Sequence, residues 1–246
     1  MQGRRHYGRW ALALLALLVL AAAAFLFWPG PDLTRFRSGP PPELWATAAR
    51  QQALWKEQGS SRTVRFSYVP LERVADHLLV AILVSEDINF FQHKGIDFRA
   101  WPEAFQQWRE GRRLRGASTL SQQLAKNLFL SPRRSLWRKL QELRLALRLE
   151  RELGKRRILE LYVNIVEFGP GLYGAEAAAR SYFGCSAAAL DPDQAASLAA
   201  AIPAPSQDNP KTASARFSAR KEVIARRAAK ASWLYPLVRQ IKSSLP

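Results

Sequence analysis

The sequence predicts a mainly α-helical protein with one N-terminal transmembrane helix, and three observations support this class. Residues 10–28 carry no charge. Beyond residue 71, apolar residues recur at helical spacing, and Gly and Pro separate the helical stretches. Residues 62–68 alternate as in a short strand, which Pro70 ends.

The uncharged run is long enough to be a membrane anchor. Nineteen helical residues at about 1.5 Å each just cross a hydrocarbon core of about 30 Å. Arg4, Arg5 and Arg9 precede the run, so the positive-inside rule predicts a cytoplasmic N-terminus, with the rest of the chain outside. A cleaved signal peptide is the alternative because 21–24 is a run of alanines, but Phe25 and the next three residues continue the apolar segment.

Changes in composition divide the chain into three parts. Residues 1–29 form the cytoplasmic tip and the anchor. Residues 30–59 contain a spacer rich in Pro, Gly and Ser, followed by a juxtamembrane helix at 43–58. No second spacer follows, so residues 60–246 are predicted to form one domain.

The net charge is strongly positive. It is +17, from 37 Lys and Arg against 20 Asp and Glu. Such an excess favours an anionic partner, whether nucleic acid, a phospholipid surface or a phosphorylated substrate, and charge alone does not select among them. The single cysteine, Cys185, excludes an intrachain disulfide and a cysteine metal cage.

Two adjacent carboxylates follow the first helix of the domain. The helix predicted at 71–84 is apolar, and Glu86 and Asp87 lie at its C-terminal end. Acids are unfavourable there because that end of the macrodipole is negative. Beside a buried apolar helix, a carboxylate tends toward a raised pKa, as a general base near neutral pH requires. A solvated helix end is the alternative interpretation.

A second predicted helix begins after Gly116 and has an apolar face and a polar face. The free N–H groups at its start form an anion site, and uncharged hydrogen-bonding side chains beside a lysine suit a sugar and a phosphate together. A solvated polar face is the alternative. The polar face consists of Thr119, Gln123, Lys126 and Asn127.

The helix predicted at 135–152 is apolar on two faces, which indicates that it is buried. After a break that contains Gly154, a further helix is predicted at 158–168. Arg138 and Glu142 share one of these faces at a spacing of i, i+4. They make either an ion pair worth roughly a few tenths of a kcal/mol or a guanidinium and a carboxylate that hold a pyrophosphate with its metal ion.

Two further segments suit a lipid surface. The aromatic residues of 98–108 fall on one face of a helix beside an arginine cluster, and 214–233 is a basic amphipathic helix. Core packing of the aromatic residues and a solvated basic face are the alternatives.

Four sequence blocks occur in a fixed order. They are EDINFFQHKGID from Glu86, GASTLSQQLAKN from Gly116, RKLQELRLALRLE from Arg138 and KRRILELYVNIVEFGPGLYGAEAAARSYFG from Lys155. Together they resemble the monofunctional peptidoglycan glycosyltransferases, which are relatives of the glycosyltransferase module of class A penicillin-binding proteins. The resemblance covers residues 65–210.

The resemblance implies a lysozyme-like helical fold, anchored in the inner membrane and facing the periplasm. Such an enzyme polymerises lipid II with inversion and releases undecaprenyl pyrophosphate. By the match, Glu86 deprotonates the 4-hydroxyl of the acceptor, and Glu142 supports the pyrophosphate and a Mg²⁺ or Mn²⁺ ion. The substrate-binding residues that it implies are Asp87, Phe90, His93, Ser118, Thr119, Gln123, Lys126, Asn127, Arg138 and Lys139.

The resemblance also sets the expected partners. They are lipid II, the growing lipid-linked strand, inner-membrane lipids and proteins of cell-wall synthesis or cell division, and not nucleic acid; moenomycin is expected at the donor site. Two other classes stay open. A lytic transglycosylase or lysozyme needs no cations for a pyrophosphate, so Lys126 and Arg138 argue against it. A tethered basic module without activity predicts that Glu86→Gln has no effect in cells.

Overall fold

The computed structural model describes residues 30–41, 44–100, 118–131 and 135–244, together with isolated positions at 10, 16, 17, 19, 20, 24, 25, 102, 106, 109 and 110. The chain divides into two compact units, Met1–Asp32 and Leu33–Pro246. Most of the predicted anchor at 10–28 and most of the aromatic stretch at 98–108 lie outside the described residues. Among those described, no helix is both long and apolar enough to cross a bilayer.

The described part of the second unit is mainly helical, as the sequence predicted. The helices are α1 (Ala46–Glu57), α2 (Asp76–Glu86), α3 (Leu120–Phe129), α4 (Leu136–Ile165), α5 (Ala175–Phe183), α6 (Pro192–Ala201), α7 (Ala215–Lys230) and α8 (Leu234–Ser243).

A small sheet accompanies the helices. Its strands are β1 (Arg65–Phe66), β2 (Glu167–Gly169) and β3 (Leu172–Tyr173), in the order β1-β3-β2. β1 pairs in parallel with β3, and β2 pairs with it in antiparallel fashion. The predicted strand at 62–68 is thus confirmed at two residues. The predicted helix at 158–168 ends earlier, at Ile165, because Val166 is extended and the chain enters the β2-β3 hairpin.

α2 is the central helix of this unit. Every residue from Leu78 to Val84 is buried, and the helix packs against α6, α7 and α8. Burying each large aliphatic side chain contributes roughly 1.5–3 kcal/mol. The predicted start at residue 71 differs, because Leu71–Arg73 form a separate 3₁₀ turn and Val74 is extended. The burial fixes the position of the helix end, where Glu86 lies.

α3 and α4 pack along each other. α3 begins at the predicted place: Thr119 is its N-cap, and the Thr119 and Gln122 side chains form a reciprocal capping box. α4 is interrupted at Gly154, whose φ of 71° is left-handed. This confirms the break predicted between 152 and 158, which glycine permits because it lacks a Cβ.

Residues 33–59, which include most of the predicted spacer and the juxtamembrane helix, pack with the helices that follow. Leu33 and the residues after it belong to the same compact unit as the helices that follow. Trp45, Ala48 and Trp55 are buried in its core, and Arg157 of α4 donates to the carbonyl of Phe36 at 2.6 Å. Leu33 and Phe36, the two apolar side chains of the Pro-rich segment, are buried as well.

Candidate active site

Glu86 ends α2 with its side chain 12% exposed. Its Oε1 accepts from a terminal nitrogen of Arg220 on α7 at 2.8 Å, and its Oε2 accepts from Nε2 of Gln123 on α3 at 3.1 Å. Burial raises the pKa of Glu86, and the positive charge of Arg220, the Gln123 hydrogen bond and the charge of Lys126 oppose that rise. Glu86 is therefore a largely buried carboxylate with the electrostatics of a general base.

Tyr162 of α4 determines which way the Gln123 amide faces. The Tyr162 hydroxyl donates to Oε1 of Gln123 at 3.0 Å, so the NH₂ group of the amide faces Glu86. Burial raises the pKa of Tyr162 well above its usual value, and the negative charge of Glu86 adds to that effect. The phenol therefore remains a donor, and three helices together orient one carboxylate.

Asp87, the neighbour of Glu86, makes a separate buried contact that joins α2 to the start of α3. Its Oδ2 accepts from the backbone N–H of Leu120 at 2.9 Å, and its carboxylate accepts from Nε2 of His93 at 3.0 Å. Nδ1 of His93 accepts from the N–H of Gly95 at 3.1 Å, which places the ring hydrogen on Nε2. Asp87 and His93 therefore hold the chain that follows α2 against the N-terminus of α3.

Gly95 completes this contact where the chain approaches α4. The Thr119 hydroxyl donates to the Gly95 carbonyl at 2.6 Å. Gly95 has a φ of 92°, and a Cβ there would lie 3.1 Å from the backbone oxygen of Ala146. Any other residue would strain this turn or displace α4, so glycine is required at this position.

A cavity of about 470 Å³ lies beside Gln123, and Glu86 itself is not among the residues that line it. Gln123 both donates to Glu86 and lines this cavity, so it connects the two. Six other predicted site residues line the cavity as well, and α1 contributes Thr47, whose hydroxyl donates to the Asn127 carbonyl at 3.4 Å. Those six are Ser118, Lys126, Asn127, Arg138, Lys139 and Glu142.

Cationic side chains dominate the wall of the cavity that α3 and α4 form. Glu142 accepts from Arg138 at 3.0 Å, and its other oxygen accepts from Lys139, which also donates to Ser118 at 3.2 Å. Burial lowers the pKa of Lys126, and the negative charges of Glu142 and Glu86 oppose that effect. Three cations against one carboxylate leave this wall net positive, which suits a pyrophosphate.

The divalent cation implied at Glu142 does not match this donor set. Both Glu142 oxygens already accept from cationic groups. Among the described residues, no group of three or more His, Cys, Asp or Glu is arranged to hold a metal, whereas Mg²⁺ prefers carboxylate oxygens and waters. The side chains around Glu142 fit an anion rather than a divalent metal ion.

Phe90, which was expected to contribute to substrate binding, lies in the core. It is fully buried, and Nζ of Lys155 lies 4.3 Å from its ring centroid. Asp87, His93 and Thr119 also make internal contacts and do not line the cavity. The structure thus brings the cationic and amide residues together around one cavity, and Asp87 and its partners are not part of the lining.

Sequence reasoning missed Arg220, Tyr162 and Thr47. The sequence did contain a signal for Arg220. Arg220 lies three residues after Phe217 and four before Ile224, so all three fall on one line of α7, and the other two are buried. A charge on the apolar line of a helix needs a partner. Nothing in the local pattern around Tyr162 or Thr47 indicated a polar contact.

The chain is similar to known proteins over most of its length. A family model described as Transglycosylase matches residues 52–229. The chain is 39% identical over 200 residues to a biosynthetic peptidoglycan transglycosylase of Nitrosospira multiformis, covering 81% of this chain and 86% of that protein. A relative of the same name from an Azoarcus species is 42% identical over 202 residues, 82% of this chain and 85% of its own. A third relative of this name, from Thiobacillus denitrificans, is 46% identical over 163 residues, which cover 65% of this chain and 70% of that protein.

Proposed function

The chain belongs to the transglycosylase family, and we propose that it polymerises lipid II into peptidoglycan glycan strands with Glu86 as the general base. The observation that supports this most strongly is the arrangement of the site. Glu86 is buried and connected through Gln123 to a cavity with three cations on its wall. Glycosyl transfer from a lipid diphosphate needs a base for the acceptor and positive charge for the leaving group.

The proposed step is a single displacement. Glu86 takes the proton of the acceptor hydroxyl, the acceptor oxygen forms a bond to the anomeric carbon of the donor, and the bond from that carbon to the diphosphate breaks. The configuration inverts, and undecaprenyl pyrophosphate leaves. Negative charge thereby moves from the Glu86 carboxylate to the diphosphate.

The cavity side chains stabilise the charge that grows on the leaving group. Lys126, Arg138 and Lys139 supply it with cationic donors, and Glu142 positions two of them. Removing a single preorganised donor for a developing anion typically costs about 10²–10³ in rate. A lytic enzyme that cleaves glycan strands has no leaving diphosphate, so this wall favours synthesis.

The membrane setting is part of the proposal. Residues 10–28 are the proposed inner-membrane anchor, with the N-terminus in the cytoplasm and the catalytic unit in the periplasm, supported by the apolar run and the three arginines before it. Such tethering would keep the enzyme at the surface where a lipid-linked substrate resides. Proteins of cell-wall synthesis or cell division remain proposed partners.

The test is product analysis with labelled lipid II and the purified full chain. We expect lipid-linked polymer, and we expect moenomycin to abolish it by competing for the cationic cavity. Isolated sacculi treated with the same protein should release no fragments. Fragment release without polymer would identify a lytic enzyme instead, and neither product at any protein concentration would contradict catalysis altogether.

A further inference from the structure

We propose that Arg220 is a positioning residue for the reaction, holding the Glu86 carboxylate ionised and oriented for the acceptor hydroxyl. This inference rests on the proposed function of Glu86 as the base. Arg220 lies on α7, 134 residues away in sequence, and one terminal nitrogen of its guanidinium is 2.8 Å from Oε1 of Glu86.

The way α7 is held explains the precision of this contact. Phe217 and Ile224 are buried on the same line of the helix as Arg220, and α7 packs against both α2 and α6. The Ser214 hydroxyl caps the helix by accepting from the N–H of Phe217 at 3.1 Å. Arg220 therefore projects from a fixed helix, with its side chain 31% exposed.

The rest of the guanidinium indicates what the side chain is for. Among the described residues, Glu86 is its hydrogen-bonding side-chain partner, and the buried Nε atom has none. An unsatisfied buried donor costs about 1–3 kcal/mol. An arginine that served only to join helices would avoid this free-energy cost at the surface of α7, where the helix carries several other arginines. The partial burial of Arg220 is therefore explained by the carboxylate that it reaches.

The charged groups near Glu86 leave Arg220 as the main source of positive charge. Lys126 on α3 acts on it more weakly, and Tyr162 on α4 is neutral. The charges of the other packed helices are engaged elsewhere.

Charged residues on the other helices that pack against α2 form ion pairs away from Glu86. Asp193 of α6 pairs with Lys221 at 2.6 Å, while Arg239 and Lys242 of α8 pair with Asp76 at the opposite end of α2. Asp87 is bound to His93. Burial raises the pKa of Glu86, and the charge of Arg220 is the largest influence in the other direction. A base must be ionised to accept a proton, so Arg220 favours the working state of Glu86 by opposing the effect of burial.

The experiment is the pH dependence of kcat/KM for lipid II polymerisation by the full chain in detergent micelles. Arg220→Gln removes the charge and keeps a hydrogen-bonding side chain. We expect its acid limb to move upward by about one pH unit, the low end of the range for a nearby opposite charge because Arg220 is partly exposed. Arg220→Lys keeps the charge and should keep the limb near that of the wild type. Titration of lipid II itself is common to all variants and cancels in the comparison.

Arg226→Gln is the matched control, because it removes the same charge from an exposed position of the same helix, where the side chain is 66% exposed. We expect its profile to match that of the wild type. An Arg220→Gln variant that loses activity equally at all pH values, with its acid limb unmoved and no rescue by lysine, would show that Arg220 only braces α7 and would overturn the proposal.

The same assay separates this inference from the function on which it rests. Wild-type polymerisation with an inactive Glu86→Gln variant supports the function whatever the Arg220 profiles show. Thermal unfolding of each variant, followed by circular dichroism, identifies any that fail to fold. If Arg220→Gln does not fold, the Arg220→Lys variant tests the proposal by itself. An acid limb of its kcat/KM profile that is shifted from that of the wild type would contradict the role of the charge.

Discussion

Glu86 and Glu142 are both buried carboxylates next to an arginine, yet their surroundings suit different tasks. Glu142 accepts from Arg138 and Lys139 of its own helix, one at each oxygen. Glu86 accepts from one cation, Arg220 of a distant helix, and from two neutral groups, the Gln123 amide and the Ser85 hydroxyl. Burial raises its pKa. Both oxygens of Glu142 are engaged by cations that also line the cavity, so the comparison assigns the base to Glu86 and the anion-binding frame to Glu142.

The largest expected effect is that of Glu86→Gln. The amide keeps the shape but cannot take a proton, and a positioned general base contributes about 10²–10⁴-fold. We expect the rate of lipid II polymerisation to fall about 10³-fold, with the far-UV circular dichroism spectrum unchanged. A variant within tenfold of wild type would remove Glu86 from the role of base and abolish the contrast with Glu142.

Glu142→Gln should have a smaller effect on rate but a clear effect on stability. It leaves Arg138 and Lys139 without their carboxylate, which misplaces the cations and should lower kcat about 10–100-fold. Breaking a buried pair costs about 3–5 kcal/mol, and the partial exposure of both cations reduces this to about 1–3 kcal/mol. Urea unfolding measures the difference in stability.

The acid limb of the rate profile distinguishes the two glutamates further. In Glu142→Gln the limb should stay in place, because Glu86 is intact. Two results would contradict the assignment of Glu142 to the anion-binding frame. One is an unfolding free energy equal to that of the wild type, and the other is the loss of the acid limb from the rate profile of this variant.

Tyr162→Phe tests how Glu86 is oriented. Without the hydroxyl, Oε1 of the Gln123 amide loses its donor, and the amide is free to flip its NH₂ group away from Glu86. We expect a fall of about threefold to tenfold in kcat, comparable to losing one neutral hydrogen bond of about 1 kcal/mol. Phe183→Leu, a change of a partly buried aromatic residue away from this network, serves as a control in the same kinetic assay. Equal losses in both variants would mean that general packing accounts for the effect.

The smallest expected effect is a dependence of stability on pH. The pKa of Glu86 is higher in the folded protein than in the unfolded chain because of burial. The folded state therefore holds this proton more tightly, so the stabilisation is present below the unfolded pKa and is lost as pH rises through the folded pKa. Glu86→Gln, which is always neutral, should gain unfolding free energy over wild type at pH 7 and lose that advantage near pH 4. An advantage that grows as pH falls would reverse the sign of the inferred pKa shift.

Predictions from the sequence succeeded where the determining interactions are local. The helix start after Gly116, the ion pair that was one of two interpretations of Arg138 and Glu142, and the break at Gly154 each depend on residues within four positions. They follow from capping, the i, i+4 geometry and the conformational freedom of glycine. Phe90 shows the limit, because its motif position suggested the cleft while its apolar ring lies in the core.

The sequence by itself determined which side chains share a face of each helix. Those faces identified half of the ten residues that line the cavity, and the family resemblance added Ser118 and Lys139. Only the tertiary structure decided what each face meets. Arg220 reaches Glu86 across 134 positions, and Thr47 reaches Asn127 across 80. Helical periodicity repeats every 3.6 residues and carries no information about which helix packs opposite. That choice depends on how all the apolar faces bury one another together, and it sets the charge around the base.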